Sequence, residues 1–352
     1  MGEAIVTFQD KKDAEFVTPP MQVPLDFSAQ DMERFLNTLL NEDKAYAFFY
    51  KGEQITKIPE AESEETLNIE FISVTKITAS SASIDVQSKI TCISIRRNEE
   101  IHTDTVVVCT VEGETKEFSL SPGMDAVKAF SSFHPIRAVT STGSGIFILT
   151  TTNKVVDVSS SEVVFESEMP IRTIGYSGGL LAIGLASKDI VVIRDRKEEK
   201  RLRTEDEIGK IIVREIENKI VLIAGLVPGA VEVFDTETWK SHKISLKRPI
   251  TAMGYEDGRI YAGGLGGIVT VCSLEKVEEE YQSDVDFISR IECGTVFFGY
   301  TNKNKVFIRD KKSFIGTHLL ELAENVTDMK ISGKRLFVAE GSFLKIFNIF
   351  DD

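Results

Sequence analysis

Glu60, Glu62, Glu64 and Glu65 stand within six positions, and the chain then passes into the alternating stretch TLNIEF at 66–71. A charge run ahead of a strand is most simply a solvated loop. The same carboxylates are also hard oxygen donors. Mg2+ prefers oxygen ligands and takes few of them from any one protein, so one exposed glutamate at a strand edge is chemically able to complete a site on another molecule. No metal set belonging to the chain accompanies the cluster. Cys92, Cys109, Cys272 and Cys293 form no C-x-x-C pair, and no histidine lies at ligand spacing from them. Zinc and a disulfide framework are therefore not expected, and a reducing compartment is.

Other chemistry-bearing stretches read more plainly. His102, His134, His242 and His318 share no spacing, so no triad is indicated and the chain is expected not to be an enzyme. AGGLGGIVT (262–270) has the glycines of a phosphate loop but lies between two strand-like segments, with no helix after it to present its N-terminus. A tight turn is expected there. RKEEKRLR (196–203) mixes both charges and reads as a solvated outer strand or turn before a nuclear-import patch.

Composition limits the function classes. The 352 residues are 42% hydrophobic, as in a globular chain, and contain no apolar run of the ~20 residues a membrane helix needs. The opening MGEAIVTFQDKKD lacks a basic start and an apolar middle, so no secretory leader is expected. The net charge is −14. Residues 1–72 hold 15 acidic and 6 basic residues, a balance of −9, leaving 40 acidic and 35 basic, or −5, for the other 280. Little or no direct binding to a nucleic-acid backbone is expected, whereas a cationic partner suits the N-terminal fifth.

The elements that carry these residues fall into two sets. Residues 1–72 read as strand, strand, helix, strand, strand: IVTF (5–8), MQVPLDF (21–27), Ser28 to Asn41, AYAFFY (45–50) and TLNIEF (66–71). Ser28 is the helix cap, with Asp31 three residues on. Met32, Phe35, Leu36, Leu39 and Leu40 form one apolar stripe, and Pro19, Pro20 and Pro24 confine the second strand to edge or irregular pairing. This order predicts a ubiquitin-like β-grasp. Residues 73–82, VTKITASSAS, read as a linker.

From residue 83 onward the chain repeats. A Φ-x-x-Φ opening (Φ, apolar) recurs as ITCI (90–93), IRAV (136–139), IRTI (171–174), IGKI (208–211), ITAM (250–253), ISRI (288–291) and VTDM (326–329), at gaps of 46, 35, 37, 42, 38 and 38 residues. Each opening is followed by further strand-like segments, so the period predicts a seven-bladed WD40-type propeller over 83–352. The last repeat stops short, and SIDVQ (83–87) is expected to supply its missing strand. The Asp of the WD dipeptide survives at Asp195, Asp235 and Asp310, while Trp239, the only tryptophan, lies elsewhere.

VPLDFSAQDMERFLNTLLN (23–41), YAFFYKGEQI (46–55) and SEETLNIEF (63–71), ahead of a propeller pattern, resemble the family of WD-repeat subunits of the PeBoW complex, which carry a Notchless-like ubiquitin-like domain. The resemblance covers the whole architecture, and its specific motifs lie in the first fifth of the chain. It implies a non-enzymatic assembly factor for the large (60S) ribosomal subunit and its rRNA maturation, in the nucleolus and nucleoplasm as part of the pre-60S particle. It implies a propeller bound to a partner WD-repeat protein of the block-of-proliferation type and, through it, to a pescadillo-type protein. It also implies a ubiquitin-like domain gripped by midasin, an AAA+ ATPase, with one glutamate completing the Mg2+ of the partner's adhesion site before ATP-driven release. In the family that glutamate lies three residues before the apolar residue that starts the last strand. With Leu67 as that residue the match is Glu64, beside Ser63; Glu62 and Glu65 add charge steering or, if the register slips, replace it. The chain itself is expected to hold no cofactor.

Two other functions fit the same architecture. A Notchless-type 60S assembly factor uses the same device with an eight-bladed propeller. A propeller adaptor of the ubiquitin system would instead present its β-grasp to a ligase or the proteasome.

Overall fold

A computed structural model describes residues 3–11, 13, 15–42, 44–59, 66–74, 76–77, 82–98, 103–119, 126–132, 134–143, 145–283, 285–311 and 317–350. These are almost all strand, with one helix among them. The chain forms two compact units. One comprises 1–79 with 307–319 and 349–352; the other comprises 80–306 and 320–348.

The N-terminal unit contains β1 (Glu3–Asp10), β2 (Met21–Pro24), α1 (Ala29–Leu40), β3 (Ala45–Tyr50), β4 (Glu53–Ile55) and β5 (Thr66–Val74). They make one sheet in the order β2-β1-β5-β3-β4. β1 and β5 run parallel, from Ile5 opposite Thr66 to Asp10 opposite Phe71. Pro24 sits at the end of edge strand β2, where a missing N–H costs no ladder bond. The short strand β4 was not anticipated from sequence, and β5 runs three residues past the expected strand end at 71 and two past the expected domain limit at 72.

Helix α1 begins with a complete capping box. The Ser28 hydroxyl accepts from the Asp31 N–H at 3.3 Å, and the Asp31 carboxylate accepts from the Ser28 N–H at 3.1 Å, satisfying backbone donors the helix leaves unpaired. The helix ends at Asn41, which adopts a left-handed conformation with φ 54°. Met32 and Leu36 are fully buried with Phe8, Phe48, Leu67, Ile69 and Phe71. Phe35 and Leu40 pack at the margin of that core. Leu39 departs from the expected stripe: it is 48% exposed, in the last turn just before the cap, so the buried line is carried by Met32 and Leu36.

The rest of the described chain forms seven further sheets, in which successive strands pair in chain order, within 90–131, 136–166, 171–203, 208–245, 252–282, 290–321 and 326–350. The last takes three strands from the C-terminal end, Val326–Ser332, Arg335–Glu340 and Phe343–Phe350. Ala82–Asp85 pairs antiparallel with the third of these, Leu344 opposite Ile84 and Ile346 opposite Ala82. Val86 and Gln87 lie beyond that strand, and Lys76–Ile77 pairs with Ile349 and Phe350. The first strand of each sheet adjoins the first strand of the next, and that of the seventh adjoins that of the first. The Ile93 N–H donates to the Asp328 carboxylate at 2.9 Å across this last junction. Such a succession of four-stranded sheets is consistent with a β-propeller.

The Φ-x-x-Φ signature has a structural cause. A strand turns alternate side chains to opposite faces, so apolar residues three apart should not share one. In five sheets the pairing of the first two strands slips by one inside the opening: between Ile90 and Cys92, Ile136 and Ala138, Ile171 and Thr173, Ile208 and Lys210, and Val326 and Asp328. The β-bulge absorbs one residue and returns the fourth position to the face of the first. Ile90 and Ile93 thus share one core cluster, Ile171 and Ile174 another, and Ile208 and Ile211 a third. The two residues between them face the other way.

Outer strands carry the charge that discourages edge-to-edge pairing. Lys197–Arg203 is exposed except at Leu202, with Arg194 paired to Glu199 at 2.7 Å, Arg201 to Glu198 at 2.9 Å and Arg203 to Asp189 at 3.0 Å. RKEEKRLR is thus a solvated outer strand.

Candidate functional site

Glu60, Glu62, Ser63, Glu64 and Glu65 lie outside the described residues, but both ends of their segment are fixed. Ile58 is buried, and its N–H donates to the Phe27 carbonyl at 3.0 Å. Leu67, opposite Val6 at the start of β5, is equally buried. The carboxylates therefore belong to a connection anchored at each end in one small core, with Thr66, the first residue of β5, exposed.

The other sequence candidates separate. His134 and His242 are exposed and lie on different sheets' margins; His242 Nε2 contacts the Leu274 carbonyl. His102 lies outside the described residues, as does the side chain of His318. Cys92, Cys109 and Cys272 are buried free thiols and Cys293 is half-buried. Burial, with Cys109 and Asp328 nearby, pushes the Cys92 thiol well above its usual pKa, the opposite of an activated nucleophile. Among the described residues no group of three or more His, Cys, Asp or Glu side chains is placed to hold a metal. Gly264, Gly266 and Gly267 form the turn between Arg259–Gly263 and Ile268–Cys272. Gly267 has φ 64°, and a Cβ there would lie 1.6 Å from the Val285 carbonyl oxygen, so close packing of backbone accounts for that glycine. Asp235 organises a turn, accepting from the Glu237 and Thr238 N–H groups at 2.9 and 2.8 Å.

The second unit holds a cavity of about 280 Å³ to which all seven of its sheets contribute. Its wall comes largely from the two residues inside the openings, among them Arg137, Arg172, Lys210, Arg290 and Asp328. In the five bulged openings the shift that aligns the flanking apolar residues turns the inner pair toward the cavity, as at Arg137, Arg172, Lys210 and Asp328. Five lining residues are cationic (Arg137, Arg172, Lys210, Arg290, Lys330) and two are carboxylates (Glu292, Asp328). Lys330 pairs with Glu292; burial opposes its charge, but Glu292 and Asp328 outweigh burial and its pKa stands above the ordinary lysine value. Arg290 lies 3.5 Å from Asp328, and Arg172 is 2.5 Å from Glu207. Arg137 donates to the Ile171 carbonyl, and burial together with Arg172 lowers its pKa. Lys210 is enclosed by protein with part of its surface toward the cavity. Burial, reinforced by Lys330, lowers its pKa, while Glu292 and Asp328 act the other way. Sequence reading missed this set. The signal was present in the inner pairs RA, RT, GK and SR of four openings, basic residues in an acidic chain.

Fold and site together define a class: a small α+β unit ahead of a run of four-stranded sheets consistent with a propeller. Residues 4–57 match the NLE (NUC135) domain, the Notchless-like domain, and the whole fits a Notchless-type WD-repeat protein. The match runs from β1 through β4 and stops short of the acidic connection. Comparison with curated proteins gives no match.

Proposed function

We propose that the protein is a non-enzymatic assembly factor for the large ribosomal subunit, held in the pre-60S particle by its propeller and released through its N-terminal domain. The observation that carries this reading is the Notchless-like domain at residues 4–57 preceding sheets whose first strands adjoin in cyclic order. In this reading the N-terminal unit is a ubiquitin-like β-grasp, for which its β2-β1-β5-β3-β4 order with parallel central strands and single crossing helix are the support. The second unit is a closed seven-bladed propeller, with Ala82–Asp85 joining the last blade and the chain between β5 and that strand linking the two domains. Notchless-type factors of eight blades are the alternative within the same pathway, and the seven sheets favour the first reading. A propeller adaptor of the ubiquitin system is the alternative outside it.

The propeller binds a block-of-proliferation-type WD protein and thereby a pescadillo-type protein. Midasin grips the N-terminal domain, and Glu64 donates one carboxylate oxygen to the Mg2+ of midasin's adhesion site, with Ser63 beside it and Glu62 and Glu65 steering the approach. The protein works in the nucleolus and nucleoplasm, without a membrane and with little direct contact to nucleic acid.

The test is a Glu64→Ala variant of the full chain. Thermal unfolding should be unchanged if Glu64 serves the partner and not the fold, since an exposed charge contributes little to stability. Mg2+-dependent capture by the midasin adhesion domain should disappear. Capture that survives both Glu64→Ala and EDTA would remove the metal-bridged mechanism. Proteasome or cullin subunits co-purifying in place of ribosomal precursors would favour the ubiquitin-system reading.

A further inference from the structure

The cavity of the second unit carries more positive charge than its neighbours neutralise. Among the described residues Lys330 is matched by Glu292, Arg290 by Asp328 and Arg172 by Glu207. Asp328 is further committed, accepting from the Ile93 N–H at 2.9 Å and the Met329 N–H at 3.0 Å. Among the described residues two lining cations form no direct salt bridge with a carboxylate. Arg137 donates to the Ile171 backbone carbonyl, and Lys210 lines the cavity with Glu292 and Asp328 acting on its charge from a distance, both of them already paired with Lys330 and Arg290. A desolvated ammonium whose nearest carboxylates are already committed to other cations is costly and is normally paired or neutralised. This chain has 55 acidic side chains against 41 basic ones, yet it gathers these cations, from separate sheets, around one small space. With five cations against two carboxylates in its lining, the cavity has a positive excess, and a cleft with an excess of one sign concentrates the opposite ion.

We infer that this cavity is a binding site for a small, multiply charged oxyanion, held by Lys210 and Arg137 and flanked by Arg172, Arg290 and Lys330. The volume of about 280 Å³ lies just below the range of sites for drug-sized ligands, which admits a compact polyanion and excludes a folded peptide element. Arginine's planar fork suits the paired oxygens of phosphate or carboxylate, and the lysine acts as a point charge. Phosphate and carboxylate ligands share this chemistry, so both are tested. The inference needs only the cavity and holds whichever partner the N-terminal unit has.

The experiment titrates the full chain at low ionic strength with pyrophosphate, inorganic phosphate and citrate, followed by calorimetry and thermal shift. Saturable binding of one pyrophosphate or one citrate per chain, with a rise in Tm, is expected. Preference for pyrophosphate assigns an oligophosphate, and preference for citrate a polycarboxylate. Lys210→Met should weaken binding by about tenfold or more, the loss of one charge-assisted contact. It should leave the unliganded Tm equal or higher, because burial and Lys330 together outweigh the attraction of Glu292 and Asp328 for this charge. Lys243→Gln, which removes a surface lysine paired with Glu205 and Asp206, should bind like the parent. The inference is overturned by absence of saturable binding, by affinity unchanged in Lys210→Met, or by chloride displacing the ligand completely at equivalent concentration.

Discussion

At the scale of single residues, the N-terminal unit depends on Ser28 and Asp31. Their reciprocal bonds fix where α1 begins and hence which residues face the sheet. Ser28→Ala should lower the stability of the full chain's N-terminal transition by about 1 kcal/mol, measured by urea unfolding. Asp31 adds a pH dependence of definite sign. Its hydrogen bonds from Ser28 hold its pKa below the ordinary carboxylate value of 3.8. A carboxylate depressed on folding contributes stability that is complete above its unfolded pKa and disappears as pH falls through its folded one. The parent should therefore be more stable than Asp31→Asn at pH 6, and the two unfolding curves should converge as the pH drops below the ordinary carboxylate pKa. A gap that persists into acid would mean the cap works without the carboxylate's charge.

At the scale of elements, the bulged opening strand explains both the core and the cavity. One inward residue also stitches neighbouring sheets: the Thr173 hydroxyl accepts from the Ile211 N–H at 3.2 Å, as Asp328 does from Ile93. Thr173→Val keeps the shape and removes the acceptor, so the buried N–H is orphaned and stability should fall by about 1–3 kcal/mol. Thr173→Ser retains the oxygen and should lose far less. Urea unfolding of the three proteins decides, and equal losses would show that the methyl group's packing, not the hydroxyl, matters. These relations also mark how far the sequence could be read. The seven openings and the helix cap were legible, because apolar period and capping chemistry are local. That Leu39 stays exposed was not, since a stripe says nothing of where the sheet beneath it ends. The meaning of the inner pairs was hidden for a different reason: Arg137, Lys210 and Arg290 converge only if strands of distant repeats face one axis, and no local pattern encodes that. Glu64 and its neighbours were legible as chemistry, while their placement lies outside the described residues.

At the scale of the whole molecule, the pairing of Ala82–Asp85 with Phe343–Ile346 determines how the second unit fails. In an open array of repeats, stability is a sum of nearest-neighbour terms and the ends fray. Here Ile84 and Ala82 pack with Phe337, Ala339, Leu344 and Ile346 of the last sheet and with Ile90, Ile93, Val106 and Val108 of the first, so the two ends of the unit share one core. A charge introduced there acts on both. Ile84→Asp places a carboxylate against apolar neighbours and should destabilise by about 2 kcal/mol or more. Amide exchange should then accelerate together in Ile90–Asn98 and in Val326–Ser332, strands more than 200 positions apart in the chain, because loss of the clasp releases the junction held by Ile93 and Asp328. Acceleration confined to the last sheet would show that the ends touch without being coupled, and the unit would have to be treated as an open series of sheets whose first and last members happen to meet.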